Sequence, residues 1–122
     1  MVATANGSWN IVYYQTPQQS SSPVQDFIQS LDMKTRTKVA NSLNLLEEFG
    51  IKLSSPHTKK LIGTDLWELR ILGQDNLRIF YVAVIGKSFL LLHGFVKKKQ
   101  KTDKREIKTA LGRLKEYRSR AR

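Results

Sequence analysis

Apolar residues fall in two rhythms along this chain. From Leu66 to Val96 three apolar runs follow one another, LWELRIL, LRIFYVAVI and SFLLLHGFV, which predict a three-strand meander. An earlier run, Trp9-Asn10-Ile11-Val12-Tyr13-Tyr14, is aromatic and β-branched and predicts a first strand. Between them the period becomes helical. Ser22-Pro23 supplies an N-cap and a first-turn proline, and Val24, Phe27, Ile28 and Leu31 follow as one stripe. Asp32 can cap a second helix with the stripe Val39, Leu43, Leu46 and Phe49, and Gly50 stops it. These two helices form a hairpin whose apolar faces need a sheet. Asp103 with Glu106 resembles a capping box, and the stripe Ile107, Leu111, Leu114, extended by Tyr117, predicts a third helix. Gln15 to Ser22 and Ile51 to Gly63 read as loops, and Met1 to Ser8 as a frayed tail. The expected fold is a single α+β domain over residues 9–122. Its small, mainly antiparallel sheet packs on a helix hairpin and a C-terminal helix.

The strand register decides which side chains meet. Gly86-Lys87 fits a two-residue hairpin with glycine first, which pairs Ile85 with Ser88, Phe80 with His93 and Arg78 with Phe95. Cross-strand partners share a face. The core face is then Trp67, Leu69, Ile71, Leu77, Ile79, Tyr81, Leu90, Leu92 and Val96. The opposite face collects Glu68, Arg70, Arg78, Phe80, His93 and Phe95, with Lys97 just beyond. A three-residue loop, Gly73 to Asp75, sets Arg70 opposite Arg78 and Glu68 diagonal to Arg78. Like charges placed opposite repel, so Glu68 or a bound phosphate is the expected offset.

Composition narrows the classes. No apolar run approaches the roughly 18 residues of a membrane span, and no basic-then-apolar leader opens the chain. Cysteine is absent, and two histidines, His57 and His93, are too few for a zinc centre. The expectation is a cytoplasmic protein with no metal and no cofactor. The net charge of +11 lies entirely in residues 57–122, which hold 17 basic and six acidic side chains; residues 1–56 hold four of each. A polyanion partner is the direct reading, and a plain basic surface is the alternative.

A carboxylate beside guanidinium groups on a basic, aromatic-lined face suits RNA cleavage without metal. Glu68 can take the 2′-hydroxyl proton, a step worth about 10²–10⁴-fold. Arg70 and Arg78 can stabilise the charge that builds on phosphorus. His93 or Lys97 can protonate the leaving 5′-oxygen. Phe80 or Phe95 can stack on a splayed base. Lys59, Lys60, Lys98, Lys99 and Lys101 are candidate phosphate contacts. Against this stand plainer roles: a surface ion pair for Glu68, a backbone hydrogen bond for His93, hydrophobic cover for Phe95 and solvation for the lysines.

The strings LWELR, LRIFY and LLHGFVKKKQKT, with a helix beginning near DKREI, resemble the phage-derived, HigB-like branch of the RelE/ParE toxin superfamily. The resemblance runs from Trp9 to Tyr117. It implies a β-α-α-β-β-β-α domain. It also implies a type II toxin that cuts messenger RNA without metal, usually in the ribosomal A site. The implied partner is an antitoxin encoded beside it, typically with a helix-turn-helix domain, through which the pair reaches operator DNA. On the matching positions, Arg78 falls on the family's phosphate-contacting arginine and Glu68 where some relatives place a general base. Lys97 or Lys98 falls near a basic residue at the end of the last strand. The C-terminal tyrosine or histidine of several relatives has no counterpart, since Tyr117 lies too far along the helix. Two other classes stay open: a gyrase-binding toxin of the ParE kind, and a basic nucleic-acid-binding module without activity.

Overall fold

The computed structural model describes residues 8–18, 21–71, 73 and 76–120. The tail expected at Met1 to Ser8 lies outside this range except for Ser8, as do Gln74 and Asp75 of the Gly73–Asn76 turn. The chain runs β1 (Asn10–Tyr13), α1 (Pro23–Gln29), α2 (Met33–Phe49), β2 (Thr58–Lys60), β3 (Trp67–Arg70), β4 (Leu77–Val84), β5 (Ser88–Val96) and α3 (Lys104–Arg120). One five-stranded sheet has the order β1-β5-β4-β3-β2, with β1 parallel to β5 and every other pairing antiparallel. The α+β class is as expected. The short edge strand β2 is an addition, in a stretch whose proline and lysines read as loop. Among the described residues, no helix is long and apolar enough to cross a membrane.

Both helix starts of the hairpin follow the sequence. The Ser22 hydroxyl accepts from the Gln25 N–H, Pro23 opens α1, and the Asp32 carboxylate accepts from the Thr35 N–H. Gly50 ends α2 at a φ of 58°. A Cβ there would run into the Trp9 indole, so this position needs glycine twice over.

The sheet is buried on both sides, which corrects the expectation of one apolar and one charged face. Val24, Val39, Leu43 and Leu46 from α1 and α2 cover Leu69, Ile71, Leu77, Ile79, Tyr81, Phe89 and Leu91. On the other side Ala110 and Leu114 of α3 pack on Leu66, Phe80, Val82, Leu90, Leu92 and Phe95, with Ile107 and Tyr117 at the margin. Leu90 and Leu92 therefore leave the face assigned to them. The physical reason is a register shift. The β4–β5 turn spans three residues, Ile85 to Lys87, so that Val84 pairs with Ser88 and Tyr81 with Leu91. Then Leu92 bulges, and Phe80 pairs with His93 and Arg78 with Phe95. Two further core assignments fail: Val96 is 46 % exposed and Trp67 38 %, both being near the margin of the sheet. Leu111 also turns outward, and Ala110 takes its place in the α3 stripe.

Polar contacts pin α3 in place. The Tyr14 hydroxyl donates to Glu116 Oε1 at 2.7 Å. Arg120 donates to the carbonyls of Gln15 and Thr16, and Arg113 to that of Leu92. The arginines thus point inward, and Lys104, Lys108 and Lys115 stay exposed.

Candidate functional site

Strand pairing assembles the site. Arg70 of β3 lies directly opposite Arg78 of β4, as the three-residue loop predicts, and Glu68 lies opposite Lys59 of β2 on one side and Phe80 on the other. Glu68 is 4 % exposed. Its Oε2 sits 3.4 Å from Arg70 Nε and 3.3 Å from Arg78 Nε. The first contact is a hydrogen bond; the second is an ion pair without hydrogen-bond geometry, which leaves the buried Arg78 Nε without such a bond. Arg78 also donates from Nη1 to the Leu77 carbonyl at 3.1 Å. One carboxylate oxygen therefore offsets two guanidinium groups that would otherwise repel.

Glu68 lines a cleft of about 300 Å³ with Lys59, Lys60, Lys97 and Lys101, closed by Leu61, Gln100, Thr102 and Ile107. Four lysines against one carboxylate make it an anion-attracting cleft. The Lys97 backbone N–H donates to the Asn76 carbonyl at 2.5 Å, which ties the end of β5 to the start of β4. Lys97 also borders a neighbouring hollow of about 160 Å³, lined by Lys98, Lys99, Phe95, Asp103 and Arg105 among others. Eight of the candidate residues thus gather at or beside one opening: Glu68, Lys59, Lys60, Phe95, Lys97, Lys98, Lys99 and Lys101. Arg70 and Arg78 stand behind Glu68.

His93 and Phe95 are used differently. The imidazole Nε2 lies 2.6 Å from Glu106 Oε1, and Nδ1 lies 3.2 Å from Arg113 Nη1. Burial pushes the His93 pKa down, against the opposing pull of Glu106. The neutral ring, with its proton on Nε2, satisfies both contacts: it donates to Glu106 and accepts from Arg113. Phe95 is 5 % exposed and packs against Phe80 at 4.9 Å and His93 at 5.5 Å between ring centroids. Its ring is almost wholly covered, at the edge of the smaller hollow.

The sequence reading missed Gln100, Thr102 and Ile107 as cleft residues, and Glu106 and Arg113 as the holders of His93. The spacing of Asp103 and Glu106 points to a capping box. Instead the Asp103 carboxylate accepts from the Arg105 N–H, and Glu106 turns to β5. A spacing rule within one helix cannot reveal a partner on another element.

Charge pairing in this half is selective. Among the described residues of 57–120, the carboxylates Asp65, Glu68, Asp103, Glu106 and Glu116 each contact an arginine or His93. No described lysine makes an ion pair. Fixed cations, a held carboxylate and lysines without a carboxylate partner, Lys60 being bonded to the Thr64 carbonyl, can bind an anionic chain and take or give protons at its bonds.

The family model described as "Phage derived protein Gp49-like (DUF891)" matches residues 26–115, from α1 to α3, and so includes every cleft residue. No curated protein matches the chain. The chain belongs to the phage-derived Gp49-like family, a family of RelE/ParE-like toxin type.

Proposed function

We propose that the protein is the toxin of a type II toxin–antitoxin pair and a metal-independent endoribonuclease that cuts messenger RNA at the ribosomal A site. The observation that carries this reading is the Glu68 carboxylate, held by two arginines at the wall of a lysine-lined cleft. Family membership is compatible with the toxin role.

In this mechanism the scissile phosphate enters between Lys59, Lys97 and Lys101. Glu68 takes the proton of the 2′-hydroxyl, and the freed oxygen attacks the adjacent phosphorus. Charge gathers on the phosphorane oxygens, where a preorganised donor is worth about 3 kcal/mol. Once Glu68 has taken the proton it no longer offsets Arg78 and Arg70, and their positive charge stabilises the phosphorane from behind it. The 5′-oxygen leaves with a proton from Lys97, the ammonium group nearest the end of β5. The product is a 2′,3′-cyclic phosphate. DNA lacks the 2′-hydroxyl and is spared. Lys60, Lys98 and Lys99 hold flanking phosphates. His93 and Phe95, the other two candidate RNA contacts, serve in this reading to position α3 against β5. A cognate antitoxin with a helix-turn-helix domain neutralises the toxin and carries the pair to operator DNA.

Induction of the protein alone, followed by primer extension on cellular messages, tests the reading. Growth arrest with discrete message cuts is expected, and Glu68→Gln or Arg78→Ala relieves both. Full toxicity with unchanged cut sites in both variants overturns the assignment of the cleft. Arrest with whole messages and DNA-damage signalling would point to gyrase instead.

A further inference from the structure

The outer face of α3 carries a second hollow, of about 380 Å³, lined by Lys104, Ile107, Lys108, Leu111, Gly112 and Lys115. Ile107 lines both this hollow and the cleft, so the two adjoin. We propose that this hollow is a nucleotide-binding subsite, which takes the RNA strand as it leaves the cleft. The inference rests on the RNA-cleaving reading for the cleft itself.

Three observations carry it. First, Lys104, Lys108 and Lys115 stand at i, i+4 and i+11, one line along the helix. At 1.5 Å per residue they span about 17 Å, the reach of a few nucleotides. None of the three makes an ion pair, although carboxylates lie on the same helix. Those carboxylates are taken by His93 and Arg120, which leaves the lysine line for an external anion.

Second, the floor between the lysines is apolar. Leu111 is exposed and Ile107 half-buried. A strand of phosphates around a sugar or base matches a ring of cations around an apolar floor.

Third, Gly112 lies in the interior of α3, where glycine weakens a helix relative to alanine. Packing does not demand it: a Cβ there would meet nothing within 4 Å. The bare backbone keeps the hollow open.

These lysines do not hold the fold. The helix is fixed by Glu106, Arg113, Glu116 and Arg120, all directed at the sheet or the first loop. Charge removal on the outer face therefore leaves the domain intact, and circular dichroism checks it.

The test uses uncleavable 2′-O-methyl oligouridines, a trimer that fills the cleft and a ten-mer that also covers α3, with affinity measured against salt. In the native protein the ten-mer binds more tightly and with the steeper salt dependence. Lys104→Ala, Lys108→Ala and Lys115→Ala together lower ten-mer affinity at least about tenfold, flatten its log–log salt slope by about 2, and leave trimer affinity unchanged. Gly112→Leu fills the hollow without a change of charge and also weakens the ten-mer alone. Unchanged ten-mer affinity in either variant overturns the subsite and leaves the face to another partner, such as an acidic protein segment. Equal loss for trimer and ten-mer overturns it too. Message cleavage in cells is a separate readout: its absence with intact ten-mer binding would sink the nuclease reading and not the subsite.

Discussion

Arg70 and Arg78 are direct cross-strand partners, and a single oxygen of Glu68 lies within 3.4 Å of both. Like charges opposite one another in a sheet are destabilising unless something offsets them. Loss of that carboxylate leaves two guanidinium groups facing each other, one of them with a side chain only 15 % exposed. Glu68→Gln should therefore destabilise the fold by about 2 kcal/mol, less than a fully buried pair because Arg70 is partly solvated. Sulfate should restore more stability to the variant than to the native protein, since an anion can take the vacated place. Urea denaturation with and without sulfate measures both effects, and identical midpoints would mean that water already screens the pair.

Phe95 separates cover from stacking. Its ring fills space beside Phe80 and His93. Phe95→Leu keeps most of that volume and should cost less than about 1.5 kcal/mol. Phe95→Ala should cost about 3–5 kcal/mol. RNA affinity of the leucine variant should stay at the native level. A loss of about 1–3 kcal/mol in binding would instead reveal a base stacked on that ring.

His93 makes stability depend on pH. Burial holds its folded pKa below the ordinary 6.5, so folding favours the neutral ring. The groups around it are Glu106 and Arg113 of α3 and Phe95 of β5. Its contribution is complete above about pH 6.5 and fades as pH falls toward the depressed folded value. Between pH 7.5 and 5.5 the native protein should lose more stability than His93→Gln, whose side chain does not titrate. Parallel declines in the two proteins would assign the loss to other groups.

Gly94 is a contact residue in disguise. A Cβ there would stand 2.5 Å from Phe27 Cδ2 and 2.9 Å from Cε2, so α1 lies against the bare backbone of β5. Gly94→Ala should destabilise by about 1–3 kcal/mol through overpacking. Phe27→Leu should cost less in the Gly94→Ala background than in the native one. A double-mutant cycle that gives strict additivity would show that the two do not touch.

The helix hairpin was open to reading because each signal was local: Ser22, Pro23, Asp32 and Gly50 act on their own turns. Arg70 opposite Arg78 was also accessible, through the length of one loop. The β4–β5 register was not. The pairings Phe80–His93 and Arg78–Phe95 agree with the sequence reading only because a three-residue turn and a bulge at Leu92 cancel. SFLLLHGFV is apolar at nearly every position, since both faces of β5 are covered. A strand without alternation carries no mark of where it slips. For the same reason the charged face could not be seen as a second core, half roofed by α3. The cleft itself arises where that roof ends, between β2, β3 and the Lys97–Thr102 segment, and its shape depends on a helix docked from far along the chain.

The link between Tyr14 and Glu116 joins residues 102 positions apart, and β1 pairs with β5 rather than with any strand near it. Closing so long a loop costs chain entropy before the contacts return anything, which makes this a fold of late assembly. A growing chain can form its helix hairpin early, yet β1 has no neighbour until β5 has been made. The cleft waits longer still, because Thr102 and Ile107 complete its wall. The cleft is therefore among the last features of this fold to be completed.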